Sequence, residues 1–330
     1  LRRTGSFLLA ALLVVTVTAS LVLVRYRDEL ARARDTARRG GLIAGTASGS
    51  IEYAARGDGA PLLSIHGAGG GYDQGLANAA DLVGEDFHVI APSRFGYLRT
   101  PVPPDASPAA QADAHAALLS KLNVSRAIVV GVSAGARSAV ELAIRHPDRV
   151  AALILVVPGT YSPTSPVSVE ASRASALVFC VVNHGGDFAW WAAEKIAPSV
   201  LIRFVGVWPE LLVASTEDAR DRVMSIVRAI EPLSLRFAGI NVDSVGEMRP
   251  LPLEKITAPT LIISARDDLF NTLPAAEFAA RTIPGAKLVV YDTGGHLLVG
   301  RHKVVRDAVR TFLADAGLAS PPHGAASHPE

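Results

Sequence analysis

Apolar residues come in blocks along this chain. The longest, Phe7 to Val24 (FLLAALLVVTVTASLVLV), runs 18 residues without a charge. As a helix it would be about 27 Å long, close to the hydrocarbon thickness of a bilayer. Gly40-Gly41 then break the helical pattern, and the blocks shorten. They fall at 61–65 (PLLSI), 87–91 (FHVIA), 127–132 (AIVVGV), 152–157 (ALILVV), 259–264 (PTLIIS) and 286–291 (AKLVVY). None alternates apolar with polar residues, which is how strands buried on both faces of a parallel sheet read. Helical stretches lie between them, near 74–83, 107–121, 134–146, 274–282 and 302–316. Alternating strands and helices predict a three-layer α/β fold, with residues 43–55 as an antiparallel hairpin leading into it.

The alternation fails from 159 to 255. That stretch holds all three Trp of the chain (Trp190, Trp191, Trp208), with Tyr161, Phe179, Phe188, Phe204 and Phe237. Its helical spacing predicts a helical insertion on top of the sheet. Its aromatics are expected to pack the insertion, with a minority facing a substrate. The last residues, GLASPPHGAASHPE, read as a disordered tail. The chain thus divides into an N-terminal segment 1–40, a sheet domain 41–158 and 256–316, an insertion 159–255 and a tail 317–330.

The 330 residues are 49% hydrophobic and 19% charged, too apolar for a disordered protein and ample for a large core. A single cysteine, Cys180, excludes an intramolecular disulfide framework and a Cys-based zinc site. The formal net charge of +1 is an average of unlike parts. Residues 1–40 carry eight Arg against three acids, or +5, which leaves −4 on the body. Such a body offers no general nucleic-acid surface.

Arg2 and Arg3 precede the apolar run, and Arg25 and Arg27 follow it. An uncleaved single-pass anchor is the reading its length favours. A signal peptide cleaved after Thr18-Ala19-Ser20 is the alternative. Arg32, Arg34, Arg38 and Arg39 add to the charge after the span, so the positive-inside bias puts the body on the cytoplasmic side. Residues 25–39 read as a short juxtamembrane helix, its arginines either on anionic headgroups or solvated.

The chemistry centres on Gly131-Val132-Ser133-Ala134-Gly135, a G-x-S-x-G pattern where a buried strand meets a helix. There a sharp turn exposes the serine hydroxyl, and small flanking residues permit close packing. A serine needs a base. His296, in Thr293-Gly294-Gly295-His296, follows the last apolar strand. His146 reads as structural; His184, His302, His323 and His328 fall in the insertion, a surface helix and the tail. The base needs an orienting acid, and Asp267-Asp268 follow the strand 259–264. A third element is His66-Gly67-Ala68-Gly69-Gly70-Gly71, after strand 61–65. Its glycines let backbone N–H groups approach a developing oxyanion. It lacks the Lys-Ser/Thr of a phosphate-binding P-loop. His66 reads as a structural residue, and Ser93-Arg94-Phe95-Gly96-Tyr97 as structural support or pocket wall.

Over about residues 42–316 these motifs resemble the α/β-hydrolases. The resemblance implies the three-layer α/β-hydrolase fold, a mostly parallel sheet with 159–255 as its helical cap. It implies a triad of Ser133, Asp268 and His296, with Asp267 the fallback acid. The other acid position that some members use reads Val157-Pro158-Gly159-Thr160-Tyr161, without a carboxylate. The implied oxyanion donors are the N–H groups of Ala134 and Ala68, with Gly69 the alternative to Ala68. The activity implied is hydrolysis of a carboxylic ester in a small, partly apolar acyl substrate, with no metal or organic cofactor. Lactonase, thioesterase, carbon–carbon bond hydrolase and cofactor-free haloperoxidase or perhydrolase activities are the near alternatives. Val132 and Leu297 stand where related carbon–carbon hydrolases carry Asn and Trp, and Ser133 argues against the dehalogenases and epoxide hydrolases, which use Asp. A membrane-tethered binding protein on the same fold is the non-enzymatic alternative.

Overall fold

The computed structural model describes residues 2–164, 186–244 and 248–318. Eight strands form one sheet: β1 (Leu42–Thr46), β2 (Gly49–Arg56), β3 (Ala60–Ile65), β4 (Phe87–Pro92), β5 (Ala127–Val132), β6 (Val150–Val156), β7 (Thr260–Ala265) and β8 (Lys287–Tyr291). Their order is β1-β2-β4-β3-β5-β6-β7-β8. The β1–β2 hairpin and the β2–β4 pair are antiparallel, and every pair from β4 onward is parallel.

The lack of alternation in the strands has a direct cause. Leu63, Val129, Leu153, Leu155 and Ile262 point into one apolar layer, which α3 (Pro108–Lys121), α4 (Gly135–Arg145) and α10 (Leu273–Thr282) complete. Leu62, Ile128, Val130, Ile154 and Ile263 point into the other, under α2 (Tyr72–Val83) and α11 (His302–Asp315). Successive side chains thus leave on opposite faces and meet helices on both. Ser107 starts α3 by accepting a hydrogen bond from the Ala110 N–H at 3.2 Å, with Pro108 in the first turn.

The N-terminal segment is one helix, α1 (Arg2–Arg39), unbroken at residue 25. Nothing in its most apolar 18-residue window is buried, and that window has a mean hydropathy of 2.1. The stretch 25–39, expected as a short basic helix on headgroups or in solvent, instead packs against the body. Tyr26, Glu29, Leu30, Ala33 and Ala37 recur on one face at helical spacing. The Tyr26 ring meets Phe188 at 5.1 Å and Trp191 at 5.6 Å. Trp191 Nε1 donates to Glu29 at 2.7 Å, and Arg34 pairs with Asp187 at 3.2 Å. Tyr72 of α2 ties down the helix end: its hydroxyl donates to the Ala37 carbonyl and accepts the Gly40 N–H, each at 3.1 Å.

Between β6 and β7 the described insertion comprises α5 (Gly186–Ile196), α6 (Pro198–Phe204), α7 (Pro209–Val213), α8 (Glu217–Ala229) and α9 (Phe237–Ser244). Phe179, Cys180 and His184, and the tail from residue 319, lie outside the described residues. Three ion pairs fasten the insertion to the sheet domain. Arg236 binds Asp73 at 2.6 Å, Arg94 binds Asp243 at 2.6 Å, and Arg222 binds Asp81 at 2.6 Å.

Glu231, after α8, has a buried Oε1 with no hydrogen-bond partner among the described residues. Burial, and then the negative charge of Glu194, push its carboxyl up to about 7. A carboxyl with a raised folded-state pKa destabilises the fold progressively as pH rises from its unfolded value toward the folded one. Glu231→Gln is therefore expected to stabilise the protein by about 1–2 kcal/mol at pH 8, allowing for solvent screening, and by almost nothing at pH 4. Thermal melts at the two pH values check this; equal gains at both would contradict it.

Candidate active site

Ser133 sits at the turn between β5 and α4 with φ 51°, in the left-handed region that L-residues rarely adopt. Backbone bonds hold it there. Its N–H donates to the Val156 carbonyl at 2.9 Å, and its carbonyl accepts from Ala136 and Gly159, each at 3.0 Å. The flanking glycines are steric requirements. A Cβ on Gly131 would lie 2.6 Å from Ala139 Cβ, and one on Gly135 would lie 2.4 Å from the His66 carbonyl oxygen.

The loops after β8 and β7 bring His296 and Asp268 to this turn. His296 Nε2 lies 2.8 Å from Ser133 Oγ, and its Nδ1 lies 2.8 Å from Asp268 Oδ2. Asp268 also accepts the Phe270 N–H at 2.8 Å and the Thr272 hydroxyl. Burial would raise this carboxyl. The His296 charge and hydrogen bond, with those two donors, outweigh burial and hold it below the usual carboxylate range. Asp267, one residue earlier, points elsewhere. It accepts the N–H groups of Gly294 at 3.1 Å and Gly295 at 2.8 Å, so it shapes the loop that carries His296.

The insertion also supports these loops. The Gly206 carbonyl accepts the N–H of His296 at 3.0 Å and that of Leu269 at 3.3 Å. Gly206 has φ 81°, and a Cβ there would come within 2.5 Å of His296 Cβ and 2.8 Å of the Phe270 ring. Gly206→Ala is expected to displace the imidazole. We expect kcat/KM on any substrate the protein turns over to fall by about 10–100-fold, and the thermal midpoint to fall less than a core truncation would lower it. A kcat/KM within about twofold of wild type would contradict it.

The His66 loop closes the third side. His66 is fully buried; its Nδ1 faces the Gly67 carbonyl at 2.7 Å, and its Nε2 accepts the Arg94 N–H at 2.9 Å. These partners require a neutral ring. Burial, reinforced by the Arg94 charge, lowers its pKa well below the usual value. His66 is thus a structural residue, as its position in the motif suggested. Gly67 packs against Ser133, a Cβ there falling 3.2 Å from Ser133 Cβ. The Gly69 N–H is engaged by the Tyr97 hydroxyl at 3.3 Å. The N–H groups of Ala68 and Ala134 have no acceptor among the described residues. Tyr97 in turn donates to Asp243, which receives Arg94 through both carboxylate oxygens.

Asp243, Arg236 and Gly206 are functional-site neighbours that the sequence reading missed. They lie in the insertion, more than 60 residues from their partners in sequence, and no local pattern marks them. His146 binds Asp113 at 2.7 Å at the far end of α4 and takes no part. Among the described residues no group of three or more His, Cys, Asp or Glu side chains is arranged to hold a metal ion.

A cavity of about 650 Å³ separates the insertion from the ends of the parallel strands, and Ser133, Ala134, Ala68 and His296 line it. Most of its wall is apolar: Leu82, Val132, Val156, Ile226, Ile230 and Leu269 among others. Phe204 and Phe270 reach it, whereas Trp190 and Trp191 are buried in packing.

Comparison with known proteins agrees with the fold. A family model described as alpha/beta hydrolase fold matches residues 60–194, and one described as TAP-like protein matches residues 235–323. The chain is 28% identical over 274 residues to a 2-hydroxymuconate semialdehyde hydrolase of Pseudomonas putida, covering 79% of this chain and 89% of the relative. An alpha/beta hydrolase fold protein from Nakamurella multipartita superposes with a TM-score of 0.63 at 29% identity, over 84% of this chain and 99% of that one. A membrane phospholipase A, described as a bacterial virulence factor, shares the fold at 23% identity with a TM-score of 0.63. It covers 96% of this chain and matches over 100% of its own length.

Proposed function

Since the chain belongs to the α/β-hydrolase superfamily, we propose that it is a serine hydrolase cleaving a carboxylic ester or a related acyl bond. The observation that carries this reading is the unbroken line from Ser133 Oγ through the His296 ring to Asp268, each contact 2.8 Å long. His296 takes the Ser133 proton as the hydroxyl attacks the carbonyl, and delivers it to the leaving group. Asp268 fixes the ring and stabilises its charged form. The N–H groups of Ala134 and Ala68 receive the oxyanion. Water then attacks the acyl-enzyme, with His296 again as base, and frees the acid.

The apolar wall of the cavity supports a partly apolar substrate. The apolar run from Phe7 to Val24, exposed from Leu9 onward, supports an anchor in a membrane, with the body on the side of the trailing arginines. A fluorophosphonate probe applied to cell fractions tests the reading. Labelling of the full chain in the membrane fraction, absent in Ser133→Ala, is the expected result. A wild-type chain that fails to label, and is silent on an acyl-ester panel, would identify the binding-protein alternative instead.

A further inference from the structure

Besides His296, six charged or ionisable side chains line the cavity: Asp81, Arg137, Arg203, Arg222, Asp243 and His302. Most are committed. Arg222 is paired with Asp81 at 2.6 Å. Asp243 gives both carboxylate oxygens to Arg94. Arg203 lies over the Trp208 ring at 4.9 Å and 3.8 Å from Glu210. Arg137 differs. Its Nε donates to the Gly159 carbonyl and its Nη1 to the Asp243 main-chain carbonyl, each at 2.9 Å. Both acceptors are neutral. Three of the five guanidinium N–H donors keep no partner among the described residues.

Among the described residues no carboxylate pairs with this guanidinium. Arg137 reaches only the main-chain carbonyl of Asp243, whose two carboxylate oxygens both go to Arg94, so the two guanidinium groups together retain one positive charge. Arg137 also stands in the first turn of α4, which has no acidic residue, where the helix dipole disfavours a cation. Burial pulls its pKa down despite the Asp243 charge. An arginine in this position is costly to bury and would be stabilised by a bound anion.

Its location suits substrate recognition. Gly159, which holds Nε, donates its own N–H to the Ser133 carbonyl, and a Cβ on Gly159 would lie 3.4 Å from the Ala134 nitrogen. The guanidinium is therefore fixed one residue away from the Ala134 N–H. We infer that Arg137 forms an anion subsite inside this cavity, binding a carboxylate or phosphate group carried by the ester whose carbonyl faces Ser133. The inference rests on the hydrolase reading for the ester, and on Arg137 alone for the anion.

Matched substrate pairs test it on the full chain in detergent. One arm compares mono-para-nitrophenyl glutarate with para-nitrophenyl pentanoate. The other compares octanoylglycerol phosphate with octanoylglycerol. The expected result is at least a tenfold preference in kcat/KM for the anionic member in one arm, which also identifies the anion. Arg137→Gln should collapse that ratio at least tenfold, and Arg137→Lys should retain part of it. Ratios near one in both arms, or variants that scale both members of a pair alike, would overturn the subsite. Binding of glutarate and of glycerol phosphate, measured by calorimetry, separates the two readings. Binding that is lost in Arg137→Gln, in a protein that hydrolyses no ester, would remove the hydrolase and keep the subsite. Turnover of neutral esters, with neither anion bound, would do the reverse.

Discussion

Replacing Ser133 with alanine is expected to lower kcat by about 10⁴-fold or more and leave the fold intact. The size follows from the role. Without Oγ no acyl-enzyme forms, and His296 and the two N–H donors are left to assist water alone. The preserved fold follows from the backbone. Alanine meets the same steric strain at φ 51° that serine already bears, and the bonds holding the turn are main-chain bonds to Val156, Ala136 and Gly159. Only the 2.8 Å contact with His296 Nε2 is lost, and that ring stays fixed by Asp268 and by the Gly206 carbonyl. Initial rates on an acyl ester together with a thermal melt check both halves. Residual turnover within tenfold of wild type in a folded variant would dismiss Ser133 as the nucleophile.

What the sequence disclosed follows from how local the causes are. β5 is readable because Ile128 and Val130 need one apolar layer and Val129 needs the other, so the strand itself carries the record of both. The Ser133 turn is readable because the two steric demands that make it, at Gly131 and Gly135, fall within two residues of it. The helix α1 is half readable. Its apolar half announces itself by composition, but its docking face depends on Phe188, Trp191 and Asp187, far along the chain. The insertion was recognisable as helical and not as a scaffold for the site. That Gly206 supports His296, or that Asp243 completes the Arg94 and Tyr97 network behind the Ala68 loop, is a consequence of tertiary packing. A lone Gly or Asp in a helical stretch carries no mark of such a partner.

The two adjacent aspartates make the sharpest contrast, and their variants are expected to separate by orders of magnitude. Asp268→Asn should lower kcat by about 10³–10⁴-fold, because a neutral amide can neither hold the productive tautomer of His296 nor stabilise the imidazolium. Asp267→Asn keeps an acceptor oxygen for only one of the Gly294 and Gly295 N–H groups, so it should cost about 1–3 kcal/mol of stability while its effect on kcat stays within about tenfold. The pH dependence adds an independent check. Asp268 has a depressed pKa, so its contribution to stability is present above the unfolded value and is lost as pH falls through the lower folded value. Its ionisation therefore cannot set the acid limb of the kcat/KM profile at ordinary carboxylate pH, and an acid limb that moves in Asp267→Asn would speak against Asp268. Should Asp267→Asn prove the more damaging variant, the acid would have to be reassigned. The 2.8 Å contact of Asp268 with the ring would then be a packing contact and not a catalytic one.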